Sequence, residues 1–257
     1  MRPPERAPSE LAAPERAAAE LAATTRFGEL RWLTETDSTN RVAVDAARGG
    51  APEGLVVVAD HQSAGRGRLG RRWEAPARTA LLVSVLLRPS GLAPGRLHLL
   101  TSAAGLAAAA ACRRLGGFSP GIKWPNDLLV GEAKLAGILA ETSGESVVVG
   151  LGLNVSAAPP GAASFLGVSG RAVGRAELLV VVLQEMERRL DHWDEVAGEY
   201  AAACATVGRR VSVEDAGGRR EGTAVGVDPG GRLLVDFGRG AEALSAADVV
   251  HLRENRR

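Results

Sequence analysis

Apolar runs of strand type follow one another along this chain with few helices between them, and that succession limits the fold. "LRWLTET" (30–36), "GLVVVAD" (54–60) and "TALLVSVLLRP" (79–89) are rich in large and β-branched residues, the composition of strands with buried faces. "GIKWPNDLLV" (121–130) predicts two short strands about a Pro turn, and "EAKLAGILAETSGESVVVGLGLNV" (132–155) a strand pair. Only two helical patterns are interleaved with them. "DSTNRVAVDAARGG" (37–50) opens on N-cap residues and stops at two glycines; "GRLHLLTSAAGLAAAAACRRLGG" (95–117) is long, apolar and Gly-terminated. Regular βαβ alternation is thereby excluded. The expected fold is α/β (α+β), a mixed or largely antiparallel sheet with helices packed on it.

The two ends read differently. In residues 1–25, "ERAPSELAA" is nearly repeated as "ERAAAELAA", and Pro3, Pro4, Pro8 and Pro14 interrupt any long helix. This segment is expected to be a flexible low-complexity tail, its first copy loose and its second able to form a short helix, and too short for a helix-turn-helix domain of its own. "RAELLVVVLQEMERRLDHWDEVAGEYAAAC" (175–204) reads as helical. Past Thr206 short alternating runs are parted by Gly-Gly, Asp-Pro-Gly-Gly and Gly-Arg-Gly, which predicts a small β-barrel. The expected division is a tail at 1–25, a first domain at 26–206 and a barrel at 207–257.

A net charge of +1 gives no basic field to attract nucleic acid. Cys112 and Cys204 sit in Ala-rich contexts without metal-type spacing, so they read as buried, reduced thiols. His61, His98, His192 and His251 are scattered and suggest no protein-borne metal site. No apolar run is long enough for a membrane span and the N-terminus lacks a signal-type core. A cytoplasmic protein without membrane or DNA partners is expected.

"QSAGRGRLGRRW" (62–73) holds Gly65, Gly67 and Gly70, formally G-x-G-x-x-G. A dinucleotide fold would need a helix next and an acidic residue about twenty positions on. Instead Pro76 and a strand follow, and after Glu74 there is no acidic residue until Asp127. A P-loop would need Lys after its last Gly, where Arg71 stands. What remains is a Gly-rich loop with Arg66, Arg68, Arg71 and Arg72 and no acidic residue inside it. Such a loop is either a solvated basic segment or a cradle for an anion, with backbone N–H groups freed by the glycines. When empty it should be mobile.

The chain's two lysines, Lys123 and Lys134, lie close together in sequence. "KWPND" places Asn126 and Asp127 in a turn, itself an ordinary turn sequence. "KLAGI" starts a strand with Lys134, a point charge suited to a carboxylate or phosphate oxygen, and removes a side chain at Gly137.

Taken together, "TDSTN", "DHQSAGRGRLGRRW", "KWPNDLL", "KLAGILAE" and "GLGLNV", in this order, resemble the biotin protein ligases, across about residues 30–156. Ser63 and Ala75 depart from the usual Thr and Ser; Ala75 loses a hydroxyl. The resemblance implies a catalytic domain of the class II aminoacyl-tRNA synthetase type with a mixed sheet, followed by an SH3-like barrel. It implies that biotin and ATP give biotinyl-5′-AMP, and that the biotinyl group passes to a lysine of a biotin carboxyl carrier protein of a carboxylase. Mg²⁺ would be held by the ATP phosphates, with no protein metal ligand.

Carried over position by position, Ser38, Thr39, Asn40, Gln62, Arg66, Gly67, Arg68, Lys134 and Gly137 would meet biotin. Arg68, Arg71, Trp73, Asn126, Lys134 and Asn154 would meet the nucleotide. Lys134, Arg66, Arg68 and Asp127 would carry the chemistry, Asp127 as orienting group or base for the incoming lysine. The resemblance implies a monomer or weak homodimer; because the N-terminal tail lacks the winged helix-turn-helix of bifunctional ligase-repressors, a monofunctional ligase without repressor activity is expected. A lipoate–protein ligase and a non-catalytic biotin-responsive regulator are the competing readings. The first lacks this arginine loop followed by "KWPND"; the second needs a DNA-binding element.

Overall fold

The computed structural model describes residues 13–89, 91–215, 218–245 and 248–252. Its main sheet has seven strands: β1 (Glu29–Thr36), β2 (Leu55–Gln62), β3 (Ala80–Leu87), β4 (Gly121–Lys123), β5 (Asp127–Val130), β6 (Ala133–Ser143) and β7 (Ser146–Asn154). Their spatial order is β1-β2-β3-β7-β6-β5-β4. β1 and β2 are parallel, joined over the sheet by α2 (Thr39–Arg48); every other pair is antiparallel. The sheet is mixed, as the sparse helices require.

One face is closed by α1 (Ala13–Thr24), α3 (His98–Gly116), α5 (Arg175–Glu187) and α6 (Trp193–Ala203), with the short α4 (Phe165–Ser169) beside them. α3 is buried along most of its length because Ala, Leu and Gly let neighbours approach it on all sides; it stops at Gly117, in the left-handed region at φ 74°. On the opposite face α2 covers one end, packing Ala43 against Leu55, Val57, Leu86 and Val148. The centre of the rest of that face carries glycines, and there the site lies.

Strand register explains why that area is bare. Leu82, Gly152, Gly137 and Asp127 lie in one row across β3, β7, β6 and β5. Ser84, Gly150 and Leu139 form the next row on the same face. Three glycines at the centre of two adjoining rows leave a floor without side chains.

Two expectations change. Residues 13–24, placed within a flexible tail, do form the short helix open to the second repeat copy, α1, but it is packed: it buries Leu21 completely and Ala17 nearly so and lies on α5; residues 1–12 lie outside the described residues. The helix expected over 175–204 is two helices. Asp191 turns into the left-handed region at φ 73°, and Arg26 binds both it (2.8 Å) and Glu187 (3.1 Å) across the break. Long-range ion pairs from Arg26 thus span that corner.

Past Thr206, β8 (Arg210–Asp215), β9 (Gly218–Val227), β10 (Leu233–Asp236), β11 (Ala241–Leu244) and β12 (Asp248–His251) form an antiparallel sheet, order β11-β10-β9-β8-β12. Five strands follow from the glycine-parted runs. This smaller sheet grips the corner between β4 and β5. The Trp124 indole N–H donates to the Gly231 carbonyl (3.0 Å), the Trp124 backbone N–H to Thr206 Oγ1 (3.0 Å), and His251 Nε2 lies 3.0 Å from that hydroxyl. Gly231 is at φ 82°, and a Cβ there would lie 2.7 Å from His98 Cδ2, so the grip requires glycine.

Candidate active site

The cavity over the glycine floor measures about 150 Å³. Its walls are the N-terminus of α2, the segment 66–73, the 123–127 turn and the facing residues of β3, β6 and β7. Six cationic side chains (Arg66, Arg68, Arg71, Arg72, Lys123 and Lys134) and one carboxylate, Asp127, line it. Such an imbalance in a partly enclosed site favours an anionic ligand.

At the α2 end is a buried polar chain. Gln62 Oε1 accepts from the Thr39 backbone N–H (2.7 Å) and from Thr39 Oγ1 (3.0 Å). Ser84 Oγ lies 2.8 Å from Thr39 Oγ1 and 2.6 Å from Asn40 Oδ1. Asn40 Nδ2 donates to Glu141 Oε2 (2.8 Å) and Leu139 O (3.3 Å). Ser38, Thr39, Asn40 and Ser84 are all buried. A Cβ at Gly150 would come within 2.1 Å of Asn40 Oδ1, so that glycine makes room for the amide.

The arginine segment is a small hairpin, not a dinucleotide loop leading into a helix. Trp73 N–H donates to Gly65 O (3.0 Å), Gly67 N–H to Arg71 O (2.7 Å), and Arg66 bridges Arg72. Leu69 and Gly70 turn it, both at positive φ. A Cβ at Gly65 would lie 2.3 Å from Trp73 O, so close closure of the hairpin demands glycine there. Arg66 pairs with Glu141 (3.0 Å), and Arg68 Nη1 donates to Asn126 Oδ1 (3.3 Å). The acidic partner absent from the loop's own sequence is therefore supplied by β6. The loop's mobility when empty remains an expectation.

Asn126 is held on both sides: its Nδ2 donates to Ile138 O (2.8 Å), and its backbone carbonyl accepts from Ile138 N–H (2.9 Å). Lys134 Nζ lies 2.7 Å from Asp127 Oδ1, an ion pair without hydrogen-bond alignment, and 5.7 Å from the centre of the Trp73 ring. The indole rests on the floor: Cβ atoms at Gly152 and Gly137 would lie 2.6 Å and 3.4 Å from it. Its N–H is buried without a partner.

Ser38, Thr39, Asn40, Gln62, Arg66, Gly67, Arg68, Arg71, Trp73, Asn126, Asp127, Lys134 and Gly137 thus line a single cavity. Asn154, at the end of β7, does not. It lines an adjoining cavity of about 300 Å³ with Glu74, Pro159 and Ala162, and that cavity shares Arg72, Trp73 and Lys134 with the first. Its Nδ2 donates to Ala163 O (3.0 Å), and its Oδ1 is buried and unpartnered. Sequence reasoning missed Glu141, Ser84, Gly150 and Gly152. Period-two counting from Gly137 along β6 puts Glu141 on the same face, and G-x-G in β7 was the visible sign of the floor.

Residues 32–156 match the biotin/lipoate A/B protein ligase family, and residues 206–252 the biotin protein ligase C-terminal domain. The biotin–[acetyl-CoA-carboxylase] ligase of Mycobacterium tuberculosis is 41% identical over 238 residues, spanning 88% of this chain and 90% of that protein. The bifunctional ligase/repressor BirA of Bacillus subtilis is 30% identical, over 82% of this chain and 70% of its own length. Among solved structures, the biotin protein ligase of Aquifex aeolicus in complex with biotin and ATP superposes with a TM-score of 0.79 at 28% identity, covering 89% of this chain and 100% of that one. An identity of 41% across nearly the full length, matches to both family domains and a shared fold lead to one conclusion: this chain belongs to the biotin protein ligase family.

Proposed function

We propose that this protein activates biotin with ATP and transfers the biotinyl group to a lysine of a carboxylase's biotin carboxyl carrier domain. One observation carries the reading beyond family membership. Two cavities abut, and Arg72, Trp73 and Lys134 stand in the wall they share. A carboxylate from the first and a phosphate from the second would meet at Lys134.

In the first step a biotin carboxylate oxygen bonds to the α-phosphorus of ATP while the bond to the β-phosphate oxygen breaks, giving biotinyl-5′-AMP and pyrophosphate. Two anions must approach, so fixed positive charge is the main requirement. Arg66, Arg68 and Lys134 supply it. The hydrogen-bonding groups of Ser38, Thr39, Asn40 and Gln62 hold the far end of biotin, and Gly137 keeps the floor open. Arg71, Trp73, Asn126 and Asn154 are assigned to the nucleotide; the unpartnered Trp73 N–H and Asn154 Oδ1 are polar atoms suited to a polar ligand. Mg²⁺ is assigned to the ATP phosphates, where it lowers their charge; among the described residues no cluster of three His, Cys, Asp or Glu is placed to hold an ion.

In the second step the carrier lysine attacks the acyl carbon and AMP leaves. Asp127 is assigned to position that amine and take its proton. Its pairing with Lys134 gives it a further use, neutralising Lys134 before an anion arrives. The domain division at 206/207 belongs to the same proposal. No helix among the described residues is long and apolar enough to cross a membrane.

The test is exchange of labelled pyrophosphate into ATP, followed by transfer to a carrier domain. Exchange should depend on biotin and not on lipoate. No biotin-dependent exchange, or equal exchange with lipoate, would overturn the assignment.

A further inference from the structure

We infer that Glu141 is a positioning residue: through Asn40 it orients a buried hydrogen-bond chain and so sets the donor and acceptor pattern that biotin meets. This rests on the reading of the first cavity as the biotin site.

An amide side chain has nearly the same shape when flipped, but its oxygen accepts and its nitrogen donates. Asn40 has neighbours at both ends. On one side is Glu141 Oε2, 2.8 Å away. A carboxylate only accepts, so the Asn40 nitrogen must face it. The Leu139 carbonyl, at 3.3 Å, acts weakly in the same sense. Asn40 Oδ1 then faces Ser84 Oγ at 2.6 Å.

Ser84 is completely buried and has one proton with two oxygens in reach, Asn40 Oδ1 and Thr39 Oγ1. With the amide fixed, that proton is committed to Asn40. Thr39 Oγ1 therefore receives no proton from Ser84, and its free lone pair is an acceptor for a ligand. Gln62 Oε1 is held by the Thr39 backbone N–H, so its Nε2 is left as a donor. Biotin's cyclic urea carries both N–H groups and a carbonyl, which match that acceptor and that donor. If Asn40 flips, Ser84 turns its proton toward Thr39 Oγ1 and occupies a lone pair there that a ligand N–H would otherwise use, while Gln62 stays as it was. Close packing over Gly150 gives the amide no third arrangement. The other Glu141 oxygen holds Arg66, so one carboxylate ties the ligand's pocket to the loop above it.

The experiment is biotin-dependent pyrophosphate exchange, with half-saturation measured separately for biotin and for ATP. Glu141→Ala should raise the biotin value about ten- to hundredfold, the effect of leaving a buried polar group without its partner, with the ATP value little changed. Glu141→Gln should do less, because its amide oxygen can still accept. Asn40→Asp should be worse than either, since it sets two carboxylates together. Combining Asn40→Asp with Glu141→Gln restores one donor facing one acceptor and leaves Ser84 an acceptor to bond. It should recover at least about tenfold over Asn40→Asp alone. Wild-type biotin dependence in Glu141→Ala, or no recovery in the combination, would overturn the inference. Should Asn40→Asp fail to fold, the order Glu141→Ala worse than Glu141→Gln decides it. Wild-type protein without biotin-dependent exchange would instead overturn the functional reading itself.

Discussion

Gly152→Ala should separate activity from stability. Gly152 pairs with Leu82 on one side and Gly137 on the other, so its backbone cannot shift away from the cavity. An added Cβ would lie 2.6 Å from Trp73 Cε2 and 2.9 Å from Cδ2 and Cζ2. Carbon atoms rest at about 3.5–4.0 Å, so the indole must rise by roughly 1 Å. A displacement of that size beside reacting groups costs on the order of 10²-fold in rate. In the strand itself, Ala is favoured over Gly by about 0.5–1 kcal/mol, which offsets part of the disturbed packing. The expected result is kcat/KM for ATP lower by about 10²-fold in biotin-dependent exchange, with the urea midpoint near that of the wild type. Gly137→Ala is the comparison: its Cβ would meet Lys134 Nζ at 3.1 Å, the mobile end of a long side chain. It should be the milder variant. Near-normal exchange in Gly152→Ala, or Gly137→Ala proving the more damaging, would refute the idea that the indole's seat on β7 sets the nucleotide site.

Lys134→Ala should lower biotin-dependent exchange by about 1.5–3 kcal/mol of lost charge-assisted bonding without unfolding the protein; exchange at the wild-type rate would remove Lys134 from the proposed chemistry. Asp127→Asn should slow transfer from preformed biotinyl-AMP by about 10²–10⁴-fold and adenylation much less, which single-turnover transfer to a carrier domain would read directly. Leu21→Ala, in the helix that covers α5, should cost about 2–5 kcal/mol of stability in urea unfolding; an unchanged midpoint would argue against the packing of α1. Burial, with Lys123 and Arg209 nearby, pushes the His251 imidazole below its ordinary value of 6.5, against a smaller opposing pull from Glu132. Its folded-state pKa is lowered, so its contribution to stability is complete above 6.5 and is lost as pH falls through the folded value. His251→Gln should therefore lessen the loss of urea stability between about pH 7 and about pH 5.

Much of this arrangement could be read from the chain because its signals are local. The β2 and β3 runs are apolar on both faces, and each is a strand buried in the sheet. The loop glycines and arginines, the Pro turn and Lys134 were legible as site elements since each needs a particular residue type at a particular point. The break at Asp191 was not, because a long-range guanidinium holds it. Helix α1 was legible as a short helix but not as a packed one: nothing in an Ala-rich repeat shows that Leu21 is buried where α1 lies on α5. Glu141 was missed because one acidic residue in a strand reads as a solvent-facing position. Period-two counting gives its face, but only the folded structure brings it to Asn40.

The fastening of Trp124 has a consequence for how such a chain can be rearranged. Both of its N–H groups end on oxygens contributed by Thr206 and Gly231, outside the larger sheet. The smaller sheet is therefore not a portable module. Grafting an unrelated barrel after residue 205 would leave two buried donors unmet beside Pro125, at a cost of about 1–3 kcal/mol each. The corner would have to relax, and Asn126 and Asp127 are its next residues. A successful graft must reproduce a hydroxyl at the junction and a bare carbonyl at a left-handed glycine. Chimeras that keep only those two positions should retain the geometry of the turn, whatever strands surround them.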